Sequence, residues 1–405
     1  MKLAIVTAYP PSKVTLNEYA YHLVKNFRVN DKVKEIVLLT DKTKEDKDIK
    51  FSTQGCKITI EECWEFNSYK NIKTVVKAID QINPDVVFFN LQFMKFGDKN
   101  IAAALGLLLP MFCKFKGIPP IVLLHNILEE VNLSKAGFAS NVIIQKVYNF
   151  IGTVLTKFIL KADLVAVTMK KYADILNQKY KGSKVKVVPH GTFEVHQTPT
   201  YNLHTGTKKV MAFGKFGTYK KVEMMIEAVE KIRRNSELDL EIVIAGTDNP
   251  NVPGYLAKVK EQYKHVPKLT FTGYVEEHKV EQLFTESAVV VFPYTSTTGS
   301  SGVLHQAGSY GKAVVMPNLG DLATLIDEEG YKGEFFDPKN VDSLANAIER
   351  IVSNDAHLVE LGKANYKAAA AFPMSRITEI YINEFEKLIH NKIMSKAEVS
   401  TTSII

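Results

Sequence analysis

The chain alternates short, continuous apolar runs with amphipathic stretches, and this alternation restricts its possible folds more than any other feature. In the first half the runs place Val, Ile, Leu and Phe on consecutive positions, as strands buried on both faces of a parallel sheet require. These runs are residues 2–8, 35–40, 85–90, 121–125 and 164–168. Helical patterns lie between them, for example at 17–27 and 72–82. This order predicts a doubly wound α/β domain.

A second series of apolar runs starts after a polar, non-periodic stretch that contains Pro199 and is typical of a linker. Its members are residues 210–216, 240–246, 269–275, 288–294, 313–317 and 333–336. A chain of 405 residues is also too long for one ordinary core. The sequence therefore predicts an α/β protein with two Rossmann-like domains, at 1–195 and 209–371, joined by a linker at 196–208. Their parallel sheets are expected to face a central cleft.

Charge and cysteine content exclude several classes of protein. The formal net charge of +7 is mild for this length and, without a Lys/Arg-rich arm, it does not indicate a nucleic-acid partner. Cys56, Cys63 and Cys113 show no zinc-type pairing and cannot form a disulfide framework, which favours reduced thiols in a cytoplasmic protein. The opening apolar run ends at Pro10-Pro11 without a cleavage site, so it predicts a buried strand rather than a signal peptide.

Two stretches bear on membrane association. Residues 101–112 are too short to span a bilayer and are interrupted by Pro110, so they predict a core helix. Residues 139–161 form a long amphipathic pattern that carries several lysines. This pattern fits a helix on a membrane surface and also a helix packed on a sheet, which is the preferred interpretation for a soluble α/β protein.

The stretch STTGSSGVLHQAGSYGKAVV, residues 296–315, combines glycines, hydroxyls, a histidine and a glutamine but contains no carboxylate. It follows a predicted strand, and ligands of open parallel sheets bind beyond the carboxyl ends of the strands. Glycines let the backbone approach a ligand closely, and the amides at a helix N-terminus attract phosphate. A capped turn without a ligand is the alternative, so this stretch needs support from other residues.

The stretch FGKFGTYKK, residues 213–221, follows the first strand of the second series and supplies that support. Lys215 and Lys220 flank a turn that Gly214 and Gly217 open. Two ammonium groups at one strand exit can neutralise a diphosphate from two sides, whereas most surface lysine pairs only face solvent. The position beside the glycine-serine stretch favours phosphate binding.

Two histidines also follow predicted strands. His125 closes the run IVLLH, where an imidazole can donate a hydrogen bond to a substrate oxygen or carry a proton. His190 and Gly191 lie in the turn VVPHG, near the expected hinge. A histidine that is merely packed or solvated is the alternative in both cases.

The order of these motifs resembles that of the retaining glycosyltransferases of family 4 (GT4), which have the GT-B fold. The similarity extends over almost the whole chain. It is carried in order by YPPSK and NEYAYHLVKNF, IVLLHN, KADLVAVTMKKYADIL, KVKVVPHG, FGKFGTYKK, VIAGT, LTFTGYV, LFTESAVVVFPY and VLHQAGSYGKAVV. The last stretch, FPMSRITEIYINEFEKLI, is similar to the closing helix of the family. The resemblance therefore implies a crossover helix at 372–395 that packs on the N-terminal domain.

The resemblance implies that the second domain binds a nucleotide-diphosphate sugar and that the first domain binds the acceptor. Donor contacts fall on Gly214, Lys215, Lys220, Gly273, Tyr274, Gly299, Ser300, Ser301, Gly302, Val303 and Gln306. His125 matches the catalytic histidine that faces the reacting sugar. Acceptor or hinge roles fall on Thr15, Glu18, His190 and Gly191.

The reaction that the resemblance implies is transfer of a hexosyl group with retention of configuration, in which the leaving phosphate helps to deprotonate the acceptor hydroxyl. No metal and no other cofactor is expected. The donor is expected to be a GDP- or UDP-hexose and the acceptor a carbohydrate, a glycolipid or a small molecule. The expected location is the cytoplasm, with the inner face of the membrane as a site of peripheral contact.

Three features of the sequence depart from the family pattern. The paired glutamates fall on Thr298 and Gln306, and the glycine pair of the first loop falls around residues 14–16. Lys215 replaces an arginine, which keeps the charge but loses bidentate recognition. The intact lysines and His125 favour an active transferase. The missing acids favour the alternative, a catalytically silent GT-B protein that binds sugar nucleotides or acts as a scaffold.

Overall fold

The structure, a computed structural model, describes residues 1–45, 47, 51–128, 142–182, 184–201, 206–296 and 300–402, with the side chains of 142–148, 277 and 395–402 excepted. The contacts between residues divide the chain into two units. Unit 1 comprises Met1–His190 together with Met374–Ile405, and unit 2 comprises Gly191–Pro373. Each unit is a parallel sheet with helices, so the prediction of two Rossmann-like α/β domains is confirmed.

Unit 1 contains a seven-stranded parallel sheet with the order β3-β2-β1-β4-β5-β6-β7 among the described residues. The strands are β1 (Lys2–Val6), β2 (Glu35–Asp41), β3 (Lys57–Trp64), β4 (Val86–Leu91), β5 (Pro120–Leu124), β6 (Leu164–Val167) and β7 (Val185–Val187). The helices are α1 (Asn17–Phe27), α2 (Asn71–Ile82), α3 (Asn100–Gly106), α4 (Leu109–Phe115), α5 (Val142–Ile159), α6 (Lys170–Lys179) and α14 (Met374–Thr402). Every residue of β4 and β5 is buried, which explains their continuous apolar sequence.

Two details of unit 1 differ from the sequence expectation. The strand β3 was not among the predicted runs, because it is an edge strand whose exposed and half-buried side chains alternate. The expected single helix at 101–112 is two short helices, α3 and α4. Pro110 lies in the first turn of α4, where a residue without an N–H is tolerated, and it therefore begins a helix rather than interrupting one.

The last helix, α14, completes the core of unit 1. Its Tyr381 and Phe385 rings lie 4.9 and 5.9 Å from the ring of Phe88 on β4. Phe385 also lies 5.7 Å from Phe27 at the end of α1. All four rings are buried, and aromatic side chains of this size dominate the energetics of a core.

Unit 2 contains a six-stranded parallel sheet with the order β10-β9-β8-β11-β12-β13 among the described residues. The strands are β8 (Lys208–Phe216), β9 (Leu240–Asp248), β10 (Leu269–Gly273), β11 (Ser287–Val291), β12 (Ala313–Pro317) and β13 (Glu334–Phe336). The helices are α7 (Glu223–Asn235), α8 (Tyr255–Gln262), α9 (Glu277–Glu286), α10 (Gly302–Ser309), α11 (Gly320–Glu329), α12 (Val341–Val352) and α13 (Asp355–Ala371). Buried residues of α7 and α12, such as Ile226 and Ile348, share one core cluster with the strands.

Within the described part of the chain, none of the helices combines the length and apolar character that crossing a bilayer would require.

The carboxyl ends of β8 and β9 approach each other at two glycines. Gly214 and Gly246 are register partners, and both have positive φ angles, 132° and 135°. A Cβ atom on Gly246 would lie 1.9 Å from the carbonyl oxygen of Gly214. The backbone of β8 can therefore continue past β9 into its loop only if position 246 has no side chain.

We predict that Gly246→Ala lowers the stability of unit 2 by about 3 kcal/mol or more, since the new methyl group meets backbone that cannot move aside. The matched control is Gly254→Ala. Gly254 also has a positive φ, 81°, but nothing lies within 4 Å of an added Cβ, so only the backbone strain of about 1–2 kcal/mol applies. Thermal unfolding followed by calorimetry measures both variants. Equal shifts of the unfolding midpoint would contradict the steric explanation.

Candidate functional site

In unit 2, two loops at the carboxyl edge of the sheet are held together by main-chain hydrogen bonds. The first loop follows β8, and the second follows β11. The Thr295 N–H and hydroxyl both donate to the carbonyl oxygen of Tyr219, at 2.8 and 3.1 Å. The Lys221 N–H donates to the carbonyl oxygen of Pro293 at 2.9 Å. These bonds bring the predicted lysine loop beside the start of the predicted glycine-serine loop.

Lys220 is packed between aromatic rings in this pair of loops. Its Nζ lies 4.7 Å from the ring centroid of Tyr294 and 5.8 Å from that of Tyr219. A Cβ on Gly214 would be only 3.0 Å from the same Nζ, so Gly214 leaves the room that the ammonium occupies. Burial lowers the pKa of Lys220, and within the described part of the chain no carboxylate forms an ion pair with it. A partly desolvated cation without an anion is the arrangement that binds an anionic ligand.

Lys215 has a different setting from Lys220. It lies near the end of β8, beside Thr247 of β9, and its side chain is exposed. The two lysines therefore share a loop, but only Lys220 is desolvated.

The helix α10 begins at Gly302, after Ser300 and Ser301. Ser301 is the N-cap residue, and its side chain makes no capping hydrogen bond. Burial raises the pKa of the Tyr294 hydroxyl, whose ring lies beside Lys220. The first amides of a helix lack partners within the helix and attract negative charge.

Two other predicted donor contacts lie in α10, and one lies outside the described residues. Val303 and Gln306 lie in the first two turns of α10 and are partly exposed. Gly299 lies outside the described residues, as does Thr298.

The hydroxyl of Ser300 belongs to a buried network that sequence reasoning missed. Its Oγ lies 2.9 Å from His305 Nε2, and His305 Nδ1 lies 2.8 Å from the Tyr331 hydroxyl. The Glu329 carboxylate lies 3.6 Å from the same Nδ1. The only signal in the sequence was a histidine on the apolar face of α10. Its partners Glu329 and Tyr331 lie 24 and 26 residues later, and only the fold brings them beside it.

Glu329 is the titrating group of this network. Its side chain is 6% exposed, and burial raises the pKa of its carboxyl to about 8. A carboxyl that is protonated at neutral pH can donate a hydrogen bond. The network therefore gains a negative charge when the pH rises above that value.

We predict that Glu329→Gln removes part of the pH dependence of stability. The folded state holds the proton up to about pH 8, whereas an unfolded glutamate loses it near about pH 4.3, so the wild-type free energy of unfolding falls as pH rises through this window. Glutamine does not titrate, and the variant is expected to gain stability relative to wild type at pH 8. Urea unfolding between pH 5 and pH 8.5 measures the slope.

The control for this measurement is Asp327→Asn, which removes an exposed acid from the same helix. Its unfolding curve is expected to keep the wild-type pH dependence. A variant at Glu329 with an unchanged slope would show that this carboxyl is ionised in the folded protein at neutral pH.

Gly273 and Tyr274 end the strand β10 at the same edge of the sheet. Gly273 has a positive φ of 68°, and the Tyr274 side chain is 80% exposed. The neighbouring Thr272 accepts a hydrogen bond from the Gly246 N–H at 3.1 Å. β10 is separated from β8 by β9, so these residues lie two strands away from the lysine loop.

In unit 1, His125 follows β5 directly and is partly exposed. The backbone N–H of His125 donates a hydrogen bond to the Leu91 carbonyl oxygen at 3.0 Å. The ring nitrogen Nε2 lies 2.7 Å from Asn90 Oδ1. The centroid of the His125 ring lies 4.6 Å from that of Tyr19, with the two rings nearly perpendicular, and 6.1 Å from that of His190. Burial, with His190 and Lys95 nearby, holds the pKa of His125 well below its ordinary value, so the imidazole is neutral at pH 7.

The predicted acceptor or hinge residues occupy separate positions. Thr15 precedes α1, and Glu18 lies in its first turn. His190 is buried, and its carbonyl oxygen accepts a hydrogen bond of 2.8 Å from the Tyr19 hydroxyl. Gly191 is the first residue of unit 2 and has a φ of 81°.

Lys95 is a buried amine that the sequence did not reveal. It is fully buried, and its ammonium donates to the Thr15 carbonyl oxygen at 2.9 Å. Burial lowers its pKa to about 7. Among the described residues, no cluster of three or more His, Cys, Asp or Glu side chains has the arrangement of a metal site.

Comparison with known proteins gives a family model and many similar structures. Residues 207–354 match the model described as Glycosyl transferases group 1. No curated protein matches the chain.

The similar solved structures share the fold at low sequence identity. Sucrose-phosphate synthase from Thermosynechococcus elongatus has a TM-score of 0.72 at 16% identity, over 96% of this chain and 100% of that one. A glycosyltransferase from Rickettsia africae has a TM-score of 0.67 at 14% identity, over 96% and 99%. HepE of Anabaena in complex with UDP-glucose has a TM-score of 0.66 at 16% identity, over 96% and 99%. The chain therefore has the GT-B fold, as the sequence predicts.

Proposed function

We propose that this protein is a retaining glycosyltransferase of the GT4 type. It would move a hexosyl group from a nucleotide-diphosphate sugar to an acceptor hydroxyl. The observation that carries the proposal is the Lys220 ammonium, partly desolvated between two tyrosines and without a carboxylate partner among the described residues. The match of residues 207–354 to Glycosyl transferases group 1 supports the same reaction class.

Donor binding is assigned to unit 2. Lys220 supplies a positive charge, Gly214 leaves room for its ammonium, and the amides in the first turn of α10 can donate hydrogen bonds to phosphate oxygens. A UDP-hexose is the first donor to test, because HepE was solved with UDP-glucose and another similar structure, a trehalose-6-phosphate protein from E. coli, with UDP-2-fluoro glucose.

The proposed reaction needs no carboxylate in the place of the family's paired glutamates. The bond between the sugar C1 and the leaving phosphate oxygen breaks, and the acceptor oxygen bonds to C1 on the same face. The proton of the acceptor hydroxyl passes to the leaving phosphate, so the products are the glycoside and the nucleoside diphosphate. Lys220 and the α10 amides stabilise the charge that develops on this phosphate, and we propose that no metal is required.

Acceptor binding is assigned to unit 1, with His125 as the catalytic histidine. A carbohydrate, glycolipid or small-molecule acceptor remains the expectation from the sequence. The cytoplasmic location and the peripheral contact with the inner face of the membrane also stay predictions.

We predict that Lys220→Met raises the Kd for UDP and for UDP-glucose by about 10- to 100-fold, because a charge-assisted contact with phosphate contributes about 1.5–3 kcal/mol. Isothermal titration calorimetry measures both ligands. The matched control is Lys221→Met. Lys221 is the next residue of the loop, but its ammonium lies 4.9 Å from the ring of Tyr255 instead, so its Kd is expected to stay within about threefold of wild type. Equal effects of the two variants would remove Lys220 from the donor site.

The stereochemical outcome is a separate prediction. With a donor that carries an α-linked sugar, we expect the first product detected by proton NMR to carry an α-glycosidic bond, and we expect the rate to be unchanged by EDTA. An inverted product would contradict the retaining mechanism, and a lost rate would contradict metal independence. Tight donor binding without release of UDP in the presence of a broad acceptor set would instead identify a silent sugar-nucleotide-binding protein.

A further inference from the structure

We infer that Asn90 is a positioning residue that holds His125 in the tautomer protonated on Nε2, so that Nδ1 remains an acceptor for a ligand hydroxyl. The tautomer follows from hydrogen bonds inside unit 1 alone. The role in turnover rests on the proposed function.

The side-chain amide of Asn90 can take only one orientation. Asn90 is fully buried at the end of β4. Its Nδ2 lies 3.4 Å from the carbonyl oxygen of Leu16, and a carbonyl oxygen can only accept, so the amide nitrogen must face it. Its other contact is the Thr7 Oγ1 at 3.0 Å, and Thr7 already donates its own hydroxyl proton to the Ala8 carbonyl at 2.9 Å. Both neighbours on this side are therefore acceptors.

This orientation decides which nitrogen of His125 carries the proton. The Asn90 Oδ1 faces the ring and lies 2.7 Å from Nε2. Oδ1 can only accept a hydrogen bond, so Nε2 must donate it. A neutral imidazole has one ring proton, and Nδ1 is therefore bare.

The surroundings of His125 keep the ring neutral. Among the residues that the structure describes, the ionisable groups near the ring are His190, Lys95 and Tyr19, and burial together with the first two disfavours the imidazolium. Asn90, unlike a carboxylate, accepts from Nε2 without adding a negative charge. The pair therefore orients the ring without turning it into a cation.

The bare Nδ1 determines which ligand groups His125 can bind, because it can only accept a hydrogen bond. It has no hydrogen-bond partner among the described residues, and His125 is partly exposed. An imidazolium would donate to phosphate or carbonyl oxygens, whereas this Nδ1 accepts from an O–H group. If the proposed function holds, the ligand group at this position is therefore a sugar hydroxyl, either of the donor hexose or of the acceptor.

The tautomer can be tested without any activity, on the full-length ¹⁵N-labelled protein. Long-range ¹H–¹⁵N correlation spectra distinguish a protonated from a bare ring nitrogen, and the His125 signals are those lost in His125→Gln. We expect a protonated Nε2 and a bare Nδ1 from pH 6 to pH 8. A proton on Nδ1, or an imidazolium at pH 7, would overturn the inference.

Three variants test the part played by Asn90. Asn90→Ala is expected to let both tautomers exchange. Asn90→Asp keeps the acceptor but adds a charge, so His125 should become protonated at a higher pH. The control is Asn71→Ala, which removes another buried asparagine of unit 1, whose side chain bonds, within the described part of the chain, only to the backbone of Glu65. It is expected to cost stability and to leave the His125 spectrum unchanged.

If the protein catalyses glycosyl transfer, turnover measurements distinguish a positioning role of Asn90 from a contribution to stability alone. We expect Asn90→Ala to lower kcat about 10- to 100-fold at pH 7. Asn90→Asp should move the acid limb of the kcat profile to higher pH, and Asn71→Ala should leave that profile in place. A raised donor KM identifies a donor hydroxyl at Nδ1, and a raised acceptor KM identifies an acceptor hydroxyl. Unchanged kcat and both KM values in Asn90→Ala would refute the positioning role.

Discussion

Burial of both faces of two parallel sheets is the constraint on which the rest of the structure depends. Strands such as β4 and β5 expose no residue to solvent, so polar groups can appear only where a strand ends. His125, Asn90 and Lys220 all follow or close a strand at its carboxyl end. Because the sheets are buried on both faces, the polar and ionisable candidate residues of each unit lie at the carboxyl edge of its sheet.

Lys95 and Lys220 show two different environments for a desolvated amine. Lys95 is fully buried, and its Nζ donates a hydrogen bond to the Thr15 carbonyl oxygen, which joins the loop after β1 to the loop after β4. Lys220 lies against aromatic rings that attract a cation but do not neutralise it. The first lysine has a hydrogen-bond partner within the protein, while the second has no carboxylate partner among the described residues and, in our proposal, binds the donor phosphate.

Much of the fold could be predicted because continuous apolar runs and amphipathic stretches are local signals. The glycine and lysine loop of 213–221 was also visible, since its residues are adjacent in sequence. The edge strand β3 was missed because its side chains alternate like those of an exposed strand. The network of His305 with Tyr331, and the contact of Asn90 with His125, could not be predicted, because their spacing carries no period and only the fold brings them together.

Because α14 belongs to unit 1, the core of unit 1 needs residues that follow unit 2 in the chain, whereas the core of unit 2 does not need α14. Unit 2 is one continuous segment, whereas the rings of Tyr381 and Phe385 reach Phe88 only after all of unit 2 has been made. During synthesis, unit 2 can therefore close its core before unit 1 does. Until α14 has been made, Phe27 and Phe88 lack the ring contacts that Tyr381 and Phe385 supply, and exposed apolar surface of this kind favours aggregation.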